Sequence, residues 1–292
     1  MKTTLEATVR IAVELTNPGQ FFACCGLFEL ANRLYPGTEA WFEREQFCLA
    51  CNGTLSELLD VLASCHLTNT MTEDEHVRFK EISSWSVAKR KSEGVEEEGK
   101  SLEKLLREAP IVLKLPNELT LDWFTDDMAG GSRFKTWAGR QSVLDIAISM
   151  KEALTDTDWR TAECLLFSTS KCGLPFNFDS DLGGQGGAID VGFSFDPLAS
   201  SALTRIDSSA RPALELLAFI GLQRFRPLEV KGENRFLYTA WSQPLPIQVA
   251  MPVACGAVPS AASRQFEFRL LYRTKYLKSF LPAIPTTGDF HE

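Results

Sequence analysis

The stretch NPGQFFACCGLFELANRLYPG, residues 17–37, joins a strand to an amphipathic helix and marks both ends of that helix. Before it, apolar residues alternate with polar or small ones over residues 8–15, the period-two pattern of a half-buried strand. Asn17 can cap the helix, and the proline after it suits a first helical turn. We therefore predict a strand at 8–15 and a helix at 18–34, whose apolar stripe packs on a sheet.

Periodicity over the rest of the chain predicts an α+β protein in which strands outnumber helices. Strands and helices do not alternate regularly, so we expect mixed or antiparallel sheets with several packed helices, not a doubly wound sheet. The further predicted strands are 41–50, 77–84, 110–115, 188–195, 235–241, 247–254 and 265–273. The further predicted helices are 55–65, 136–154, 158–167 and 211–223.

The chain can be divided into two parts or read as one continuous domain. An N-terminal α+β part over residues 1–120 contains a predicted acidic, exposed loop near 92–104 that leads into a short helix, and a C-terminal α+β part over 121–292 carries the basic motifs. The composition, 45% hydrophobic and 23% charged, is typical of a soluble globular protein. With no signal-peptide pattern and no apolar run of membrane-spanning length, we expect a cytoplasmic protein with free cysteines and no membrane partner.

Charge is distributed unevenly along the chain. The net charge is −8; residues 1–204 carry 19 Lys+Arg against 31 Asp+Glu, whereas residues 205–292 carry 11 against 7. This asymmetry favours a phosphate-binding face on the C-terminal third, although a net of +4 over so many residues is also compatible with ordinary variation.

Metal and acid–base chemistry have little support. Cys48, Cys51, Cys65 and His66 could supply four zinc ligands, but the last two are adjacent and would have to turn onto one metal. The Glu73–His76 cluster indicates a solvated turn more than a site. We therefore predict no catalytic residue, metal or cofactor.

Basic residues interleaved with aromatic ones form three clusters. Arg133, Lys135, Arg140 and Gln141 follow a glycine-rich turn, where the N-terminus of a predicted helix would favour a phosphate. The second cluster comprises Gln223, Arg224 and Arg226, with Arg235 close behind. The third comprises Lys275 and Lys278 with aromatic neighbours. Together they favour nucleic-acid contact, though each alone is more often a solvated surface.

A set of longer segments resembles a known family. These are NPGQFFACCGLFELANRL (17–34), LDWFTDDMAGGSRFKTWAGRQSVLDIA (121–147), GLPFNFDSD (173–181), AIDVGFSFDP (188–197), ARPALELLAFIGLQRFRP (210–227), YTAWSQPLP (238–246) and YLKSFLPAIP (276–285). In this order they resemble the large-subunit family of the type I-U, also called I-G, CRISPR surveillance (Cascade) complex. None of them is a catalytic signature.

The resemblance implies a non-enzymatic subunit of an RNA-guided antiviral complex. Such a subunit would read a flanking motif on duplex DNA, help to open the strands, and present the displaced strand to a helicase-nuclease recruited in trans. Its partners would be the other effector subunits, the guide RNA and target double-stranded DNA. Base pairing supplies most of the sequence specificity in such complexes, and the protein contacts the backbone and the flanking motif.

We predict that the cations of the three clusters neutralise phosphates, and that Gln141, Asn177 or Gln223 reads a base edge. The predicted nucleic-acid residues are Arg133, Lys135, Arg140, Gln141, Asn177, Gln223, Arg224, Arg226, Arg235, Lys275 and Lys278. Two alternatives remain open: a scaffold subunit that contacts only protein and guide RNA, and a metal-dependent enzyme that uses the cysteines or the cluster near His76.

Overall fold

The first helix, α1, begins at Pro18 and ends at Leu34, as the sequence predicts. The side chain of Asn17 accepts a hydrogen bond from the backbone N–H of Gln20, which caps the helix. Every residue from Pro18 to Ala31 is buried, so the helix is enclosed on all sides instead of showing one buried stripe. The segment that begins the fold is therefore also its centre.

A computed structural model describes residues 5–125, 133–137, 141–156, 158–172, 175–183, 208–230, 233–258, 263–272 and 278–286. The helices after α1 are α2 Leu55–Ser64, α3 Glu73–Ser84, α4 Val87–Ser92, α5 Glu96–Glu108, α6 Val143–Ala153, α7 Ser180–Gly183, α8 Pro212–Gly221 and α9 Ile247–Ala254. The strands are β1 Val9–Ala12, β2 Glu39–Glu43, β3 Gln46–Ala50, β4 His66–Asn69, β5 Ile111–Lys114, β6 Leu119–Leu121, β7 Ser170–Cys172, β8 Ser208–Ala210, β9 Leu228–Val230, β10 Arg235–Trp241, β11 Leu245–Pro246, β12 Ser263–Tyr272, β13 Lys278–Phe280 and β14 Ile284–Pro285. The protein is of the α+β class.

All strand pairs described are antiparallel. The N-terminal sheet has the order β1-β3-β2-β11, and the C-terminal sheet has the order β13-β12-β10-β9, with β14 also on β12. The described residues also form a small sheet of order β4-β5-β6 and the two-stranded pair β7-β8. Since β1 and β2 both run antiparallel to β3, they are parallel to each other, and α1 connects them across a gap that β3 fills. This is a split β-α-β unit.

Helix α1 packs on α8 and on both larger sheets. The ring of Phe21 stacks on Phe42 of the N-terminal sheet and on Tyr238 of the C-terminal sheet, with centroids 5.3 and 4.5 Å apart. Trp241 donates its indole N–H to the carbonyl of Ala40, which ties β10 to β2. One hydrophobic core therefore includes residues from Val9 to Ala283.

A buried polar network joins the N-terminus of α1 to that of α8. Both side-chain oxygens of Glu215 accept hydrogen bonds from the backbone N–H of Phe178, and one also accepts from Asp179 N–H. The Asp179 carboxylate accepts from the amide of Asn17 at 2.7 Å and from Arg211 at 3.3 Å. These bonds hold the 175–181 segment against both helices.

Several sequence predictions of local structure are wrong. The predicted strand 77–84 lies within helix α3, because Thr72 and Glu75 form a capping box that starts a helix there. The acidic segment 92–104, predicted as an exposed loop that leads into a short helix, has the helix but little of the loop: it lies mostly in α5, whose first turn holds three glutamates where the helix dipole favours negative charge. The predicted strand 247–254 is the helix α9.

Other segments agree in part. The predicted strand 41–50 is the β2–β3 hairpin. The predicted helix 136–154 is realised in part as α6, which begins at Val143 after the cap Ser142, so the expectation that Arg133 and Lys135 lie at the N-terminus of this helix is wrong. Residues 162–167 form turns where a helix was predicted at 158–167. The predicted strand 188–195 lies outside the described residues. Within the described ranges, no helix is long and apolar enough to cross a membrane.

Candidate nucleic-acid interface

Two of the three predicted basic clusters meet in space. The backbone N–H of Lys278, which begins β13, donates to the carbonyl of Thr136 at 2.8 Å. Its ammonium group donates to the carbonyl of Arg133 at 3.0 Å. We call Arg133, Lys135 and Lys278 the basic cluster. It unites residues separated by 145 positions in the chain.

Like charges crowd this cluster. Burial lowers the pKa of Lys278, and the positive charges of Lys135 and Arg133 lower it further. Burial also lowers the pKa of Lys135, while the nearby Glu108 acts in the opposite direction. Arg133 is mostly exposed and forms an ion pair with Glu229. A bound anion would relieve the repulsion between the two lysines, so the geometry suits a phosphate.

Aromatic side chains fix the backbone that carries the cluster. The ring of Phe134 stacks on Trp123 with centroids 5.2 Å apart, and the Trp123 indole donates to the carbonyl of Phe219 in α8. The ammonium group of Lys135 lies 5.3 Å from the centroid of the buried Trp137 ring, and that of Lys278 lies 5.4 Å from the Tyr272 ring. The predicted mixture of basic and aromatic residues therefore divides into rings that anchor the backbone and cations that differ in exposure: Arg133 is exposed, whereas Lys135 and Lys278 are half-buried.

Arg224 does not join this cluster. Its guanidinium group binds both carboxylate oxygens of Glu29 in α1, at 2.6 and 3.2 Å. Glu29 is 1% exposed and is also bound by Arg33 at 2.7 Å. A buried carboxylate needs such partners, so we reassign Arg224 from phosphate contact to the support of α1.

Gln223 is likewise used internally. Its side-chain oxygen accepts hydrogen bonds from the backbone N–H groups of Asp122 and Trp123, at 2.9 and 3.1 Å. Its side-chain nitrogen donates to the Asp122 carboxylate at 2.7 Å. Both the oxygen and the nitrogen of the amide are thus engaged within the fold.

Asn177 and Arg235 also serve the fold. Asn177 is buried in a left-handed conformation with φ 70°, and its amide donates to the carbonyl of Pro175. Arg235 binds Glu267 on the neighbouring strand at 2.5 Å and also pairs with Glu233. Sequence alone could not place these partners, because Glu267 meets Arg235 only through the β10–β12 register.

The four remaining residues predicted to contact nucleic acid differ in exposure and in whether the structure describes them. Arg226 is exposed after α8 and forms no ion pair with another described residue. Gln141 is half-buried beside the start of α6. Arg140 and Lys275 lie outside the described residues.

The candidate zinc ligands do not come together. Among the described residues, no three His, Cys, Asp or Glu side chains are grouped to hold a metal ion. Burial raises the pKa of Cys48 and of Cys65, and the Cys65 thiol donates to the carbonyl of Leu62. His76 lies in α3 with its ring nitrogen 3.1 Å from the side-chain oxygen of Asn69. These cysteines behave as buried thiols.

A second set of cations was not anticipated from the sequence. Arg10, Arg44 and Arg264 line one groove on the N-terminal sheet, although they come from distant segments. The only sequence signal was the alternation that turns Arg10 away from the core.

A search of protein-family models and of curated proteins found no match for this chain.

Proposed function

We propose that this chain is a non-catalytic subunit of an RNA-guided CRISPR antiviral complex. It would contribute to flanking-motif recognition, duplex opening and the binding of guide RNA and target DNA. The ordered segments that resemble the large-subunit family motivate the proposal. The observation that carries its nucleic-acid part is the convergence of Arg133, Lys135 and Lys278 in one crowded cationic cluster.

Net charge argues that tight binding of target DNA depends on assembly. A chain of net charge −8 repels DNA overall, so a local basic cluster is most effective when other subunits supply further contacts. The proposed partners are the other effector subunits, guide RNA, target double-stranded DNA and a helicase-nuclease recruited in trans. We propose a cytoplasmic location for this assembly.

The first test is co-purification with neighbouring gene products and guide RNA. Binding of target DNA by the reconstituted complex is then measured over a range of salt concentrations for R133Q/K135Q/K278Q. The salt slope is the slope of the logarithm of the binding constant against the logarithm of the salt concentration. Each lost phosphate contact should lower its magnitude by about one unit. The matched control is K80Q/K91Q/K104Q, which removes three exposed lysines of α3, α4 and α5 and changes the net charge equally.

Equal affinity and slope for R133Q/K135Q/K278Q and the wild type would refute the nucleic-acid role of the cluster. Equal losses in the control would show that only total charge matters, which also contradicts the proposal. A chain that purifies without any effector subunit or guide RNA would overturn the complex-subunit proposal itself.

The second candidate is a scaffold subunit of the same complex. It is favoured by the internal use of Gln223, Arg224, Arg235 and Asn177, which leaves fewer groups for nucleic acid. Crosslinking separates the two: a scaffold would crosslink to protein and guide RNA, but never to the target or displaced strand.

A further inference from the structure

The outer face of the N-terminal sheet is distinct from the face that packs on α1. Strand register places Val9, Ile11, Phe42 and Phe47 on the inner face, where all are buried. Arg10 pairs with Cys48, and Cys48 pairs with Trp41, so these three residues form one row across the outer face. Arg10 is the exposed member of this row, whereas Trp41 and Cys48 are buried.

A groove crosses this outer face. A cavity of about 690 Å³ is lined by Trp41 and by Ser242 and Pro244, which follow β10. It adjoins a second concavity of about 940 Å³ that reaches Glu45 and Gln46. Arg10, Glu43, Arg44 and Arg264 line both, so we treat them as one feature, the arginine groove.

The hairpin between β2 and β3 orients the arginines. Arg44 forms its tip with φ 54°, and its carbonyl accepts a hydrogen bond from the Arg264 guanidinium at 2.6 Å. Arg10 pairs with Glu43 at 3.0 Å, whereas neither Arg44 nor Arg264 forms an ion pair with a described residue. Glu43 and Glu6 lie near Arg10, and Glu45 lies near Arg264, so the groups that the groove offers to a phosphate are the guanidinium groups of Arg44 and Arg264, which form no ion pair within the described ranges.

We propose that the arginine groove binds the phosphodiester backbone of single-stranded nucleic acid; this inference rests on the proposed function and adds a second contact site to it. Guanidinium groups suit phosphates because their N–H groups form a planar fork. An open groove of this volume has room for about one or two nucleotides, which a single strand can insert and a stacked duplex cannot. Trp41 is only 6% exposed and cannot stack on a base, so binding is independent of sequence.

The test uses the full chain at low salt with a labelled single-stranded RNA, a single-stranded DNA and a duplex of equal length. R44Q/R264Q should weaken binding of both single strands by about tenfold and lower the salt slope by about 1.4, or 0.7 for each contact. The matched control, K80Q/K104Q, removes two exposed lysines from α3 and α5 and should leave both values unchanged. Circular dichroism and the thermal midpoint verify folding.

A charge-conserving variant keeps the inference testable if R44Q/R264Q fails to fold. R44K/R264K should retain the salt slope but lose affinity, because lysine cannot form the two-pronged contact. Inorganic phosphate, added at equal phosphate concentration, should not displace the strand. Displacement by phosphate would mean a simple anion site and would overturn the inference.

Three further results would overturn it. These are unchanged single-strand binding by R44Q/R264Q, an equal loss in K80Q/K104Q, and a loss confined to the duplex. Absence of any binding by the wild-type chain at low salt would also do so. The proposed function fails separately, when the chain does not co-purify with effector subunits and guide RNA.

Discussion

Gly26 of α1 and Gly221 of α8 lie against each other where the two central helices cross. A Cβ atom on Gly26 would lie 1.9 Å from the carbonyl oxygen of Leu217 and 3.0 Å from the amide nitrogen of Gly221. A Cβ on Gly221 would lie 2.0 Å from the carbonyl oxygen of Phe22. Only glycine therefore permits this backbone approach.

Alanine at either position should force the helices apart. We expect Gly26→Ala and Gly221→Ala each to lower the free energy of unfolding by about 1–3 kcal/mol, measured by urea denaturation. The control is Gly99→Ala in α5, where the added methyl meets only the Ile82 side chain, at 2.9 Å. That variant should lose much less, since alanine also favours a helix. Equal effects at all three positions would contradict the close crossing.

The ion pair between Arg224 and Glu29 predicts a structural phenotype. Arg224→Gln leaves a buried carboxylate with only Arg33, so we expect a loss of about 1–3 kcal/mol in the free energy of unfolding. In E29Q/R224Q the loss should be smaller than the sum of the single losses, which a double-mutant cycle measures. Strict additivity would contradict the pairing. The salt slope for nucleic acid should stay unchanged in R224Q.

Glu215 should make stability depend on pH. Burial, followed by the charge of Asp179, raises its pKa to about 8. The folded chain then holds a proton that the unfolded chain releases above its ordinary pKa near 4.5, so the free energy of unfolding falls as pH rises from about 4.5 to 8. The fall attributable to this group should reach a few kcal/mol, since each tenfold change in proton affinity is about 1.4 kcal/mol.

Glu215→Gln should remove that component. Glutamine retains the oxygen that accepts from Phe178 and Asp179, but it does not titrate. The measured quantity is the difference in unfolding free energy between wild type and E215Q at pH 5, 6.5 and 8. A difference that does not change with pH would contradict the raised pKa.

The capping box at Thr72 should govern the stability of α3. Thr72 accepts from the backbone N–H of Glu75, and Glu75 accepts from that of Thr72 at 2.8 Å. Thr72→Ala should cost about 1 kcal/mol locally and speed hydrogen exchange of the α3 amides. Ser83→Ala, near the other end of α3, is the control and should not alter that exchange. Unchanged exchange in T72A would show that packing alone holds the helix.

Local signals predicted those elements whose ends are marked by capping residues and whose apolar spacing is regular. Helix α1 matches its prediction at both ends because Asn17 and Pro36-Gly37 act through adjacent backbone groups. The sequence predicts strands at 77–84 and 247–254, where the structure has helices, because a short apolar run fits both the period of a strand and that of a helix. For α3, the capping box settled the choice, and it can be read from the sequence at Thr72 and Glu75.

The candidate site was only partly predictable, for a physical reason. That Arg133, Lys135 and Lys278 suit a phosphate follows from their side chains, but their meeting requires β13 to lie beside residue 136. Conversely, nothing local to Arg224 indicates that it faces the buried Glu29.

The α+β class, the central strand–helix unit and the chemical type of each polar group can be read from the sequence, because these depend on neighbouring residues. Which cations are held in internal ion pairs and which stay exposed depends on the fold, because ion pairs, burial and strand register join residues far apart in the chain.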